Sequence, residues 1–237
     1  MNILAFDTCF ESCSVAAGRG LRSLTPGIAS AFEPMVSGQA ERLIPMIESV
    51  MNDARLAFRD LDRLVVTTGP GTFTGSRIGV AAARAIALAA HVPTVQLSSL
   101  ELMALSPAIP GSKNTVYAVA TDARRGEVYL QVFSHKTLRP VSQPAVLSFD
   151  GAASALGPKP MMIAGSGAEA VAEAARALGN TPVAILANLL PDALDILFAS
   201  ASYPISVEIA PLYLRAPDAK PPTPILQMPS LQMVGPS

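Results

Sequence analysis

The sequence predicts a duplicated α/β fold: two halves, each a mixed sheet flanked by helices, with a cleft between them. Three observations predict it. A strand, aspartate, polar turn, strand arrangement occurs twice, over residues 2–17 and 116–133. In each half a further strand and a glycine turn follow, and that turn opens a helix. The helical segments are apolar on one broad face or nearly all round, as layers packed on a sheet require.

Residues 2–7 favour β structure and end at Asp7, residues 8–12 supply the turn, and residues 14–17 return as a second strand. In the helix spanning 40–55, Leu43, Ile44, Met46, Ile47, Val50, Met51 and Ala54 fall on an arc of roughly 160° at about 100° per residue. That arc is broader than one core contact needs. Pro45 either lies in the first turn, which moves the start to near Ile44, or kinks the helix.

The segment from Leu64 to Val80 is the most informative. A β-branched run enters Gly69-Pro70-Gly71, and the chain then continues as an alanine-rich helix over 74–90. Backbone N–H groups at such a helix start can hold an anion. A dinucleotide fingerprint would need glycine at Thr74, and a P-loop ending at Gly75 would need glycine at Pro70 and lysine at Ser76, so neither fits. Thr72 or Thr74 supplies the N-cap. Arg77 and Arg84, on nearly the same side, are the helix's charges, so it is expected to be covered on most sides. Ser98 and Glu101 have the spacing of a capping box.

In the second half a strand over 116–121 reaches Asp122, the turn Ala123-Arg124-Arg125-Gly126 follows, and a strand runs over 127–133. A strand and the turn Gly165-Ser166-Gly167 precede a helix over 168–178 that Gly179 stops. Pro191 and Asp192 start a short helix over 193–201, and residues 207–214 read as a strand or extended segment. Beyond Arg215 the repeated prolines predict a flexible tail, disordered or adherent in extended form. The expected division is 1–105, 106–216 and the tail 217–237.

A chain of 237 residues, half of them apolar, supports a sizeable core. Net charge is −1 and no run of Lys and Arg forms a stripe, which argues against strong independent binding to nucleic acid. The absence of a long apolar run and of a secretory start predicts a cytoplasmic protein with no membrane contact. Cys9 and Cys13 are expected to be free thiols, and neither His91 nor His135 has metal-ligand spacing to other donors. Ser98, Ser99 and Glu101 lack a histidine placed to complete a triad. Asp7, Thr8, Gly69, Gly71, Asp122, Gly165 and Gly167 form a candidate nucleotide cleft. Each aspartate can instead cap its own turn, and each glycine can serve a positive-φ turn or close packing.

Five segments in order carry a family resemblance: Asn2 to Thr8, Glu41 to Met46, Gly69 to Gly79, Thr121 to Tyr129 and Pro211 to Arg215. Together they resemble the TsaB (YeaZ) family of the actin-like, Hsp70-like ATPase superfamily, also labelled M22 glycoprotease-like. The resemblance implies a duplicated actin-like (ribonuclease H-like) fold of two subdomains. It further implies a role in forming N6-threonylcarbamoyladenosine at position 37 of tRNAs that read codons beginning with A.

In that role the chain would be a non-catalytic subunit pairing with a TsaD-like catalytic subunit, joined by a TsaE-like ATPase. It would be a homodimer when alone and meet tRNA only through the complex. No cofactor or metal is expected on this chain itself, ATP or ADP belonging to the complex. The histidine pair that holds the TsaD metal has no counterpart in Ser37 to Arg42, and Gln39 stands where many family members have histidine.

The family pairs through its first two helices. The resemblance and the apolar arcs therefore assign the partner interface to Leu43, Ile44, Ile47, Val50 and Met51 with Arg77, Ala81, Arg84, Ala85 and Leu88. A nucleotide-hydrolysing or phosphotransfer enzyme using the cleft is the alternative, and a peptidase lacks a nucleophile, base or metal cluster.

Overall fold

The computed structural model describes residues 1–19, 27–109, 116–158, 161–197 and 199–215. The proline-rich tail lies outside the described residues. Among the described residues ten strands form two five-stranded mixed sheets. The first half runs β1 (Asn2–Asp7), β2 (Ser12–Arg19), β3 (Ala29–Pro34), α1 (Gln39–Asp53), β4 (Arg63–Thr67), α2 (Phe73–Ala90), β5 (Thr94–Leu97) and α3 (Ser99–Ala104). The second runs β6 (Val116–Asp122), β7 (Glu127–Ser134), β8 (Ala145–Ser148), α4 (Phe149–Leu156), β9 (Met162–Ala164), α5 (Ala168–Ala177), β10 (Ala184–Leu186) and α6 (Ala193–Leu197). The element order is the same in both halves.

So is the topology. The first sheet has the order β3-β2-β1-β4-β5 and the second, read from the opposite edge, β8-β7-β6-β9-β10. In both, the three-strand meander is antiparallel and the last two strands add in parallel. The structure thus carries the duplication that the repeated motif predicted.

The helices form for local reasons. Thr72 caps α2 by accepting from Gly75 N at 3.0 Å, and Ser98 with Glu101 forms the capping box of α3. Gly179, at φ +82°, stops α5. Asp192 Oδ1 accepts from Leu194 N at 2.9 Å where α6 begins. Pro45 lies inside α1, which starts at Gln39, so the first-turn reading of this proline is replaced by an interior one.

One face of the first sheet is covered by α1 and α2, through Leu43, Met46, Ile47 and Val50 against Leu4, Phe6, Val15 and Val66. The other face takes α6: Ala193, Ile196 and Leu197 pack with Ile3, Ala5 and Val65. Meanwhile α3 sends Leu100 and Met103 against Tyr117, Val119 and Phe133 of the second sheet. The last helix of each half therefore crosses to the other half's sheet, and residues 199–215 also return to the first half. These contacts cross the expected division at 105.

The predicted interface on α1 requires correction. Leu43, Ile47, Val50 and Met51 are at most 3% exposed and belong to the core, because the wide arc fits between the sheet and α2 rather than facing outward. Ile44, at 45%, remains on the surface. On α2, Arg77, Ala81, Arg84, Ala85 and Leu88 are exposed, so this helix is uncovered along one face instead of enclosed. Replacing Ile47 and Met51 together by glutamate buries two charges among aliphatic side chains and is expected to abolish the cooperative thermal transition in circular dichroism. Leu88→Glu, on the exposed face, is expected to change stability by less than about 0.5 kcal/mol in the same measurement.

Candidate functional site

Two features of the surface are candidates: the cleft where the halves meet and the open face of α2. The cleft has a volume of about 690 Å³, within the usual range for a small-ligand site. Its walls come from the β1–β2 turn (Phe10, Glu11), the start of α2, the β6–β7 turn, Ser166, and residues 212–215. Arg124 of one hairpin turn reaches Glu11 of the other at 3.9 Å. Both side chains are exposed, so this pair contributes little to stability.

The glycine turn that suggested a phosphate site is filled by the protein itself. Thr72 N donates to Cys9 O at 2.7 Å, which occupies a donor at the α2 start with a carbonyl of the β1–β2 turn. Thr8 Oγ1 donates to Gly75 O at 2.7 Å. A Cβ on Gly71 would lie 2.2 Å from Cys9 O, and one on Gly75 would lie 2.0 Å from Thr8 O. These glycines permit backbone to cross backbone, the second of the two roles the sequence left open.

Asp7 is fully buried. Its carboxylate accepts from the Thr67 hydroxyl and, at 3.1 Å, from Cys9 N. Burial pushes its pKa up from 3.8 to about 6, with the two hydrogen bonds opposing. The carboxylate ties the ends of β1 and β4 to the hairpin turn and does not face the cleft. Asp122 is exposed and caps its turn, Oδ1 accepting from Arg124 N at 2.8 Å.

Gly165 and Gly167 meet the second sheet closely, with Cβ positions 2.5 Å from Ala120 O and Val128 Cγ1 respectively. Gly69 lies under Leu212 O. Of the seven residues assigned to a nucleotide cleft, Gly71 and Asp122 line it, while Asp7, Thr8, Gly69, Gly165 and Gly167 do not. The lining that sequence reasoning missed is Phe10, Phe73, Ser166 and the 212–215 segment, brought together by non-local packing. Among the described residues no three His, Cys, Asp or Glu side chains gather as a metal site. Gln39 is buried and donates through Nε2 to Phe10 O at 3.2 Å and Met35 O at 3.3 Å, a purely structural tie. Cys9 and Cys13 are free and buried.

The open face of α2 is built from small residues, Ala81 and Ala85, ending in Leu88 at 77% exposure. Its two arginines turn toward the C-terminal segment: Arg77 Nε donates to the Tyr213 hydroxyl at 2.7 Å and Arg84 Nε to Ile209 O at 2.9 Å.

This architecture defines a duplicated actin-like α/β protein with a filled glycine turn and an uncovered helix. Comparison places it more narrowly. The family model described as TsaD, tRNA N6-adenosine threonylcarbamoyltransferase, matches residues 35–215, and the chain belongs to that family. Within it the chain is of the TsaB (YeaZ) type.

An Escherichia coli protein, tRNA threonylcarbamoyladenosine biosynthesis protein TsaB, is 37% identical over 130 residues, covering 54% of this chain and 53% of the relative. The chain thus spans about half the length of such curated relatives. A Mycobacterium tuberculosis protein, called uncharacterised, is 35% identical over 209 residues, 84% of this chain and 90% of its own. The solved structure of YeaZ from Pseudomonas aeruginosa superposes with a TM-score of 0.74 at 28% identity, covering 90% of this chain and 99% of that one. Among the described residues no helix is long and apolar enough to cross a membrane.

Two outcomes follow from the geometry. Gly71→Ala and Gly75→Ala are each expected to lower unfolding free energy by about 2–4 kcal/mol in urea titration, since backbone must shift to admit the methyl. For Asp7, the unfolded chain releases its proton near 3.8 and the folded chain near 6. Between these pH values the folded state binds more protons, so stability falls as pH rises from 4 to 6, by up to about 3 kcal/mol from this group. Asp7→Asn is expected to flatten that dependence, measured as unfolding midpoints across the same pH range.

Proposed function

We propose that this chain is a non-catalytic subunit in the formation of N6-threonylcarbamoyladenosine at position 37 of tRNAs reading codons that begin with A. It pairs with a TsaD-like catalytic subunit, is joined by a TsaE-like ATPase, and meets tRNA through the assembled complex. The observation that carries this reading is the exposed face of α2, where Ala81, Ala85 and Leu88 leave a small-residue surface. Small side chains let a second helix approach closely, and an exposed leucine gains by being covered. The names of the TsaB relatives supply the pathway. A homodimer through the same face is the proposed state of the isolated chain, in the cytoplasm.

The alternative, a nucleotide-hydrolysing enzyme, finds less support. The α2 start has given a donor to Cys9 O, and Asp7 faces the core. ATP or ADP is accordingly assigned to the complex. The proposed subdomains are residues 1–105 and 106–216, with the tail 217–237, and α3 and α6 tie the two together.

The test is co-purification with a TsaD-like partner followed by a threonylcarbamoylation assay with and without this chain. Ala85→Glu combined with Leu88→Glu is expected to weaken pairing at least about a hundredfold in titration calorimetry, since two carboxylates would be desolvated. The melting temperature of the chain alone, compared at a concentration at which both forms are monomeric, should stay within about 2 °C. Undiminished pairing by the folded variant would overturn the assignment of this face.

A further inference from the structure

Residues 203–215 run across the first half as an extended strap. Arg63 Nη1 donates to Tyr203 O at 2.9 Å, Ser206 N donates to Thr94 O at 2.8 Å, and Leu212 N donates to Thr68 O at 2.7 Å. In addition α2 grips the strap with its two arginines, at Ile209 O and, just beyond Leu212, at the Tyr213 hydroxyl. The Tyr213 ring stacks on Phe73 with centroids 5.5 Å apart, and the Arg77 guanidinium lies 3.4 Å over the Phe73 ring.

Both ends of the strap are fastened to the second half. Arg215 donates through Nη1 to Ala123 O at 3.0 Å and pairs with Glu127. At the other end Arg139, in the β7–β8 connection, donates to Ser202 O at 2.6 Å and stacks over Tyr203 at 4.2 Å. A segment held by one half along its length and by the other at its ends resists separation of the two. Pro204 and Pro211 fix φ at two positions along it, which reduces the slack.

We propose that the strap is a brace that couples the outer face of α2 to the β6–β7 turn on the opposite wall of the cleft. A subunit docked on α2 meets Arg77 and Arg84, the same guanidinium groups that hold the strap. Any change in their hydrogen bonds displaces Ile209 and Tyr213, and through Arg215 it displaces Ala123 and Glu127. The docked partner thereby sets the position of the turn carrying Asp122 and Arg124. This rests on the docking face proposed above.

The coupling is tested on the isolated full-length chain by hydrogen exchange with mass spectrometry, using β1 and β4 as internal controls. Arg215→Met is expected to speed exchange at residues 123–127 about tenfold, the loss of a charge-assisted contact. Arg77→Met with Arg84→Met is expected to speed the same residues at least about threefold, although neither side chain touches that turn. The triple variant should match Arg215→Met alone, because both act through one element.

Unchanged protection at 123–127 in the α2 double variant would overturn the brace. Should that variant also loosen β1 and β4, Tyr213→Phe decides, since it removes only the Arg77 acceptor. A rise at 123–127 then supports the coupling, and no rise refutes it. The measurements are made at a concentration at which sedimentation shows the chain to be monomeric, so no second subunit enters them and failed pairing and failed coupling are separate results.

Discussion

Backbone crossing backbone at the first hairpin is the constraint on which the rest of the molecule depends. Cys9 O and Thr8 O lie where a side chain at Gly71 or Gly75 would have to be. That contact brings the β1–β2 turn onto the start of α2, seals Asp7 behind it and sets one wall of the cleft. It also decides between chemistries. A helix start that has given a donor to a neighbouring carbonyl has less to offer an incoming anion.

The two halves share a topology but have diverged at this point. Asp7 ends β1 and Asp122 ends β6, equivalent places in the two sheets. The first is enclosed and hydrogen-bonded to Thr67 and Cys9, while the second stands in water and caps its own turn. The first hairpin has become part of the core, and the second has stayed at the surface, where Arg215 can reach its backbone.

Much of this was legible in the sequence. The duplicated motif, the caps at Thr72 and Ser98 and the stop at Gly179 depend on local chemistry, and local chemistry is written in order along the chain. The arc on α1 was legible only as apolar, because periodicity reports that a face avoids water and not what covers it. Leu43 and Ile47 could have met a partner or the sheet, and the sheet is what they meet. The strands β5, β8 and β10 are too short to show an alternation, and β3 alternates only between half-buried and exposed positions, with small residues rather than an apolar row on its inner side. The role of the glycines was legible as an alternative, and only the distances to Thr8, Cys9 and Ala120 select it.

The crossing of α6 to the first sheet has a consequence for biosynthesis. Ala193, Ile196, Leu197 and Tyr203 cover Ile3, Ala5 and Val65, so β1 waits for α6, made long after it, before one of its faces is dry. Domains of a growing chain commonly fold in order of emergence. Here the first to emerge cannot finish until the second has been made, and a nascent polypeptide stalled before residue 193 would carry a naked aliphatic sheet surface of the kind that chaperones hold.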